Sequence, residues 1–220
     1  MDIEQAILQR QSIRAYEDRD VSNETIRAIL DAARWTPSGV NTQPWQIEVV
    51  TGASKQRISD AILSAREQSP AKPDYDYYPA EWREPYKARR KACGLALYGA
   101  LAIGREDKDK MIEATNNNFR FFDAPVGMFF FMDRDMGQGS WLDMGMLLQS
   151  VMLLAKSHGL DTCPQASLAE NPDVVRQMLG VSEDKLLVCG LSMGYAQANA
   201  AVNQYRTERL SVDEFTHWHD

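Results

Sequence analysis

Apolar and polar positions along this chain alternate between a helical period and a strand period. Ile3, Ala6 and Ile7 fall on one helical face behind Asp2, which can cap the first turn with Gln5 as its capping-box partner. Ser22 opens a second helix whose buried face is Ile26, Ile29, Leu30 and Ala33. A polar loop over 34–45 leads to an extended segment at 46–51, and Ser54 begins a third helix carrying Ile58, Ile62 and Leu63. Helical period returns over 95–103 and again after Asp107. Residues 126–132 are a continuous apolar run, the pattern of a strand covered on both faces, and 185–193, K-L-L-V-C-G-L-S-M, reads as a second buried strand. Between them, 143–158 reads as a buried core helix closed by Gly159, with methionines as core filling. Residues 163–168 form a short extended link, and Asn171 caps a helix that has Pro172 at its first position and ends near Gly180. After Gly194 no strong period remains, so the tail is expected to wrap across another surface, such as a partner subunit.

Three stretches break this pattern. The loop R-W-T-P-S-G-V-N-T-Q-P-W at 34–45 holds two prolines, a glycine and a tryptophan near each edge. Anchored tryptophans with polar residues between them suit a loop held out for binding; an ordinary helix-to-strand turn with Trp45 in the core is the plainer alternative. Residues 70–85 are rich in proline and tyrosine, with Tyr75, Tyr77, Tyr78 and Trp82 followed by Tyr86. An excursion of this length is a lid, a binding loop or an interface, and its side chains offer flat apolar faces with polar tips. The first helix ends in Arg10, Gln11, Ser12 and Arg14. Two guanidinium forks flanking a hydroxyl suit a phosphate, although a solvated helix end would also favour cations.

Composition narrows the function. The 220-residue chain carries a formal net charge of −7, which argues against nonspecific binding to nucleic acid or anionic membranes. No apolar run reaches the roughly 18 residues of a membrane span, and the acidic N-terminus has no signal-peptide core. Cys93, Cys163 and Cys189 are scattered without a C-x-x-C, as expected of reduced thiols in a cytoplasm. The chain lacks a G-x-G-x-x-G after a strand, a P-loop and a G-x-S-x-G elbow. Of its histidines, His158 ends a helix, and His217 and His219 have no further ligands at zinc-like spacing, so no metal is expected. An enzyme with so little acid–base and nucleophilic equipment would take its chemistry from a bound organic cofactor.

The motifs R-Q-S-I-R-A-Y at 10–16, T-P-S-G-V-N-T-Q-P-W at 36–45, D-A-P-V at 123–126, G-L-D-T-C-P-Q-A at 159–166 and V-N-Q-Y-R-T-E-R at 202–209 run in order over nearly the whole chain. Together they resemble the flavin-dependent nitroreductases, in kind the bacterial nitrobenzoate and nitroaromatic reductases. The resemblance implies an α+β fold, a mixed sheet flanked by helices, in an intertwined homodimer with FMN at the interface. It implies one domain over 1–220, with a lid at about 68–105 and a dimer-wrapping tail at about 195–220. By the same resemblance, Arg10, Ser12 and Arg209 match phosphate-holding positions, and Arg14 matches a contact to the flavin ring. Pro37, Ser38 and Asn41 match a loop that reaches the flavin from the other subunit. Ala166 and Ser167 match backbone contacts near flavin N5, and Asn117 and Arg120 match contacts to the pyrimidine edge. Gln11, Gly39, Pro164, Gln165 and Arg206 lie within these motifs and are counted as cofactor-binding with them. Tyr78, Trp82, Tyr86, Phe121 and Phe122 are the expected acceptor-binding residues.

The implied reaction is a ping-pong, two-electron transfer. NADH or NADPH reduces FMN, and a small aromatic acceptor, a nitroarene or a quinone, reoxidises it; no side chain need be catalytic. Reductive dehalogenation of an aromatic, as in iodotyrosine deiodinases, is one alternative. A flavin-binding protein with incidental reductase activity and a cofactor-free helical interaction protein are two others.

Overall fold

The computed structural model describes residues 1–219. Its centre is a four-stranded sheet of order β1-β2-β4-β3, formed by β1 (Gln46–Thr51), β2 (Val126–Asp133), β3 (Asp161–Gln165) and β4 (Lys185–Gly194). All three strand pairings are antiparallel. The mixed character expected of the sheet is confined to a parallel bridge between Ser12 and Thr162, which lays the N-terminal segment along β3.

The central strands are mostly apolar because both faces are covered. Met128, Phe130 and Met132 of β2 face a layer that includes α2 (Asn23–Ala33) and α6 (Gln138–Ser157). The alternate residues Phe129 and Phe131 face α3 (Gly52–Gln68), α7 (Pro172–Leu179) and Phe119. Each of these buried side chains contributes about 1.5–3 kcal/mol relative to exposure. Gly190 permits one close approach. A Cβ there would lie 2.2 Å from Leu168 Cδ1, so glycine lets the turn at Ala166–Ala169 rest against β4.

A bulge interrupts the β2–β4 ladder. Phe130 pairs with Cys189 and Phe131 with Leu187, which leaves Val188 without a cross-strand partner. The register shift puts Leu187 in one core layer and both Val188 and Cys189 in the other.

Several elements differ from the periodicity. α6 begins at Gln138, five residues before the apolar run, because its first turn is partly exposed. The stretch expected as a link at 163–168 is β3 followed by the turn at Ala166–Ala169. Helix α4 (Tyr86–Ala100) starts well before the helical period at 95–103, and neither it nor α5 (Lys108–Asn116) has a buried residue. In α1 (Ile3–Gln9), Asp2 accepts from Gln5 N at 2.8 Å, yet only Ala6 is buried; Ile3 and Ile7 are exposed. Trp35 is also 78% exposed, so the first edge of the loop at 34–45 is anchored not by its tryptophan but by buried Thr36, which donates to Ser150 Oγ at 2.8 Å, and the second edge by buried Pro44 and half-buried Trp45.

Phe121 and Phe122 require a correction as acceptor-binding residues. With Asp123 they occupy left-handed backbone, at φ 58°, 53° and 61°, which folds both rings inward. Phe121 is fully buried at 5.4 Å from the Phe129 ring, and Phe122 is only 7% exposed. They are core residues behind the sheet. Among the described residues, no helix is long and apolar enough to cross a membrane.

Candidate functional site

Asn203 staples the two ends of the chain. It is 5% exposed; its Nδ2 donates to the carbonyls of Ala15 (2.8 Å) and Gln197 (3.1 Å), and its Oδ1 accepts from Arg14 N (2.9 Å). Gln11 Nε2 donates to the Asn203 carbonyl at 2.7 Å. On the other side, Ile13 N donates to Thr162 O at 3.1 Å. The segment at 10–14 is therefore clamped between β3 and the tail, and Arg10, Ser12 and Arg14 meet Arg206 and Arg209 around a cavity of about 540 Å³. Arg14 donates to Tyr205 Oη at 3.2 Å and to Ser12 O at 3.4 Å, and its guanidinium lies 6.0 Å from the Phe122 ring centroid. Arg206 donates to the carbonyls of Leu8 and Arg10, and Arg209 folds back on Thr207 Oγ1 at 2.8 Å.

Among the described residues, none of Arg10, Arg206 and Arg209 has a carboxylate within ion-pair distance. Burial, then the neighbouring charges of Arg209 and Arg206, lower the pKa of Arg10, although the Cys163 thiol opposes this. Like charges gathered against their own repulsion make an anion site, and guanidinium forks match phosphate oxygens. Burial is also the main reason that the Cys163 thiol beneath this cluster is raised, despite the opposing influence of Arg14, Ser12 and Arg10.

A second cavity, of about 600 Å³, is walled by Tyr75, Tyr77, Trp141, Pro164, Gln165 and Ala166 among others. Leu148 and Gln149, successive residues of α6, line this cavity and the basic one respectively, so the two are close neighbours. Tyr75 meets Trp141 edge-on, with centroids 4.5 Å apart, and its hydroxyl donates to Val188 O at 2.5 Å. That carbonyl belongs to the bulge residue. Beside it, Leu187 N donates to Asp74 Oδ2 at 3.0 Å. The bulge thus turns backbone groups outward, and the root of the excursion binds them. Burial, then the Cys189 thiol and Tyr77, raises the Tyr75 phenol, which keeps it a proton donor.

Gln165, a wall residue of this cavity, and Ser167 close behind it each keep a buried side-chain oxygen, Oε1 and Oγ, without a hydrogen-bond partner. Such groups are costly without a partner. A third cavity, of about 330 Å³, adjoins it and includes Tyr78, Ala166 and Ser167.

The remaining sequence candidates lie apart from these walls. Trp82 and Tyr86 are in none of the three cavities. Asn117 Oδ1 accepts from Arg120 Nη1 at 2.9 Å, and this pair also stays outside them. Pro37, Gly39 and Asn41 are exposed and Ser38 is half-buried. Their loop is pinned to α6 by Gly39 N donating to Asp143 Oδ1 at 3.1 Å, and Val40 and Asn41 are left-handed at φ 43° and 60°. Within one chain the loop reaches neither main cavity. Trp141, Tyr205, Gln149 and the Asn203 staple were not among the sequence candidates. Trp141 is the one aromatic residue of α6, and that was the available signal.

The profile described as the Nitroreductase family matches residues 7–195. A 4-nitrobenzoate reductase of Pseudomonas putida is 37% identical over 99% of this chain and 95% of its own length. A nitrobenzene nitroreductase of Ectopseudomonas oleovorans is 38% identical over 97% of this chain and 95% of its own. The crystal structure of the FMN- and NADPH-dependent nitroreductase NfnB from Sphigopyxis sp. strain HMH superposes with a TM-score of 0.97, at 40% identity over the whole of both chains. The FMN-dependent NfnB from Mycobacterium smegmatis in complex with NADPH gives a TM-score of 0.94 at 35% identity, covering 99% of this chain and 97% of that one.

Proposed function

The chain belongs to the nitroreductase family, and on that premise we propose that it is an FMN-dependent oxidoreductase that uses NADPH or NADH to reduce nitroaromatic or quinone-like acceptors. The observation that carries this reading is the unpaired arginine cavity beside an aromatic cavity. A flat heterocycle with a phosphate on a polar tail fits that combination. Bound FMN supplies the redox chemistry, taking a hydride equivalent from the nicotinamide and giving two electrons to the acceptor.

The side chains bind and orient. Arg10, Ser12, Arg206 and Arg209 hold the phosphate. Gln11 acts indirectly, because its amide is engaged with Asn203. Arg14, fixed by Tyr205 and Phe122, brings positive charge to the ring, where it stabilises negative charge that develops on reduction. The segment at 164–167 presents its backbone, Gln165 and Ser167 to the ring edge. Tyr75, Tyr77 and Trp141 form a flat-walled acceptor space that excludes water. The dehalogenase alternative requires a cation for an amino-acid carboxylate, and the walls of the aromatic cavities contain none.

The working unit in this reading is a homodimer. Ile3, Ile7, Leu8, Trp35, Val40 and Leu142 are all more than half exposed on one chain, far more apolar surface than isolated exposed residues would explain. Covering them with a second copy would bring the loop at 37–41 to the partner's flavin and lay the tail at 195–219 across the interface.

Arg209→Ala tests the assignment. The variant should lose FMN on gel filtration, by about 10- to 100-fold in dissociation constant for one charge-assisted contact. Full retention would contradict the phosphate site. With nitrobenzene and a quinone as acceptors, double-reciprocal plots at several NADPH concentrations should be parallel; intersecting lines would contradict alternate use of one stacking space.

A further inference from the structure

The first turns of α4 carry an unbalanced positive charge. Lys87, Arg89, Arg90 and Lys91 fall within five residues and the helix contains no Asp or Glu, in a chain of net charge −7; Glu81, Arg83 and Glu84 precede it, and Glu84 accepts from Ala88 N at 3.2 Å. All five basic side chains are exposed, and none has an ion-pair partner among the described residues. Lys87, Arg90 and Lys91 stand at i, i+3 and i+4, so they share one face, an arrangement that disfavours the isolated helix. A merely solvated helix face mixes its signs. This one does not.

The face connects to the aromatic cavities. The Arg90 guanidinium lies 5.2 Å from the Trp82 ring and 6.0 Å from the Tyr78 ring. Trp82 contacts Tyr78 at 5.5 Å, Tyr78 contacts Tyr77 at 4.7 Å, and Tyr77 contacts Tyr75 at 6.4 Å. A continuous run of rings therefore leads from the cavity, whose walls contain no cation, out to the cations of α4. The complementary ligand is flat and neutral at one end, offers a further ring to stack, and carries phosphates beyond the cavity. A pyridine dinucleotide has that form.

We propose that Lys87, Arg90 and Lys91 bind the phosphates of the reducing nucleotide, and that the 2′-phosphate of NADPH is the group by which this surface prefers it to NADH. The inference rests on the flavin-oxidoreductase reading above and adds a specificity determinant to it. The nicotinamide enters the aromatic cavity, the adenine lies on the exposed faces of Tyr78 and Trp82, and the extra dianionic phosphate reaches the basic face. Such contacts lie in high dielectric, so they weaken as salt rises.

The test is anaerobic stopped-flow reduction of the FMN-loaded protein, reading flavin bleaching against nucleotide concentration. Lys87→Gln/Lys91→Gln is compared with Arg27→Gln/Arg57→Gln, which removes two exposed charges from α2 and α3. In the α4 variant the apparent dissociation constant for NADPH should rise about tenfold, and that for NADH less than about threefold. The control variant should keep the unmodified protein's preference, and added salt should weaken NADPH more than NADH. Equal losses for the two nucleotides, or none, would overturn the inference while leaving the flavin reading intact. If neither nucleotide bleached the unmodified protein, the flavin-oxidoreductase reading would fall, and the inference with it.

Discussion

Asp74 is the residue whose loss should most loosen the aromatic excursion from the sheet. Its side chain is 7% exposed and accepts from Arg176 Nη1 (2.6 Å) and Nη2 (3.2 Å), Arg134 Nη2 (2.7 Å) and Leu187 N (3.0 Å). Arg176 is itself 5% exposed on its side chain, and its Nε has no partner. Asp74→Ala leaves a buried guanidinium and a bulge N–H without their acceptor. Breaking a buried pair from one side costs about 3–5 kcal/mol. Arg176 retains Asp173 at 2.5 Å and Lys185 O at 3.0 Å, which puts the expectation near the lower end of that range. For a chain of this size, about 3 kcal/mol lowers Tm by roughly 6–12 °C.

Asp74 adjoins Tyr75, so the same substitution should raise the acceptor KM severalfold while FMN content stays unchanged. Differential scanning fluorimetry and steady-state kinetics with nitrobenzene check both. A Tm loss below about 3 °C, corresponding to less than about 1 kcal/mol, together with an unaltered KM, would refute the view that this cluster holds the excursion. The pH dependence gives an independent sign. Burial pushes the Asp74 carboxyl up, but the hydrogen bonds from Arg176, Arg134 and Leu187 N outweigh it and hold the pKa below its ordinary 3.8. A carboxyl lowered in the folded state contributes stability above its unfolded pKa and loses it as pH falls through the folded value. The Tm gap between the unmodified protein and Asp74→Ala should therefore be constant near neutrality and shrink as pH falls below 3.8.

Further outcomes follow from single contacts. Tyr75→Phe removes the donor to the bulge carbonyl and should cost about 1 kcal/mol, read as a small fall in Tm with a raised acceptor KM. Gly190→Ala sets a Cβ 2.2 Å from Leu168 Cδ1 and 2.9 Å from its Cβ, so it should destabilise by about 1–3 kcal/mol in urea unfolding and disturb the segment at 166–169. Burial holds the Cys189 thiol up at about 12 and raises Cys163, so at pH 8 a colorimetric thiol reagent should react with no more than one thiol per chain, Cys93, until the protein unfolds.

The parts of the fold that could be read in advance are those governed by local pattern. The segments at 126–132 and 185–193 are central strands, and coverage of both faces explains why apolar residues dominate them. Ser22 caps its helix, accepting from Thr25 N at 3.2 Å, as its residue type indicates. Long-range geometry was not legible. The bulge at Val188 leaves no mark in the apolar stretch around it, yet it supplies the carbonyl that fixes Tyr75. The left-handed turn at 121–123 carries no glycine to signal it, so two core phenylalanines passed for cavity walls. The beginning of α4 was hidden because its charged turns bury no residue and so carry no apolar period. Trp35, expected as an anchor, is exposed, and residue type alone does not separate a buried tryptophan from an exposed one. The basic segment at 10–14 was recognisable by residue type, but its meeting with Arg206 and Arg209 depends on Asn203, whose contacts span the sequence.

The central claim is that the paired cavities hold a flavin that takes electrons from a nicotinamide and yields them to a flat acceptor. An anaerobic absorbance titration of the purified protein tests it most directly. The account predicts a yellow protein whose flavin bands bleach with one equivalent of NADPH per FMN and return on addition of nitrobenzene. A colourless protein that takes up no added FMN, or one whose bleached flavin is not reoxidised by any nitroarene or quinone, would contradict it.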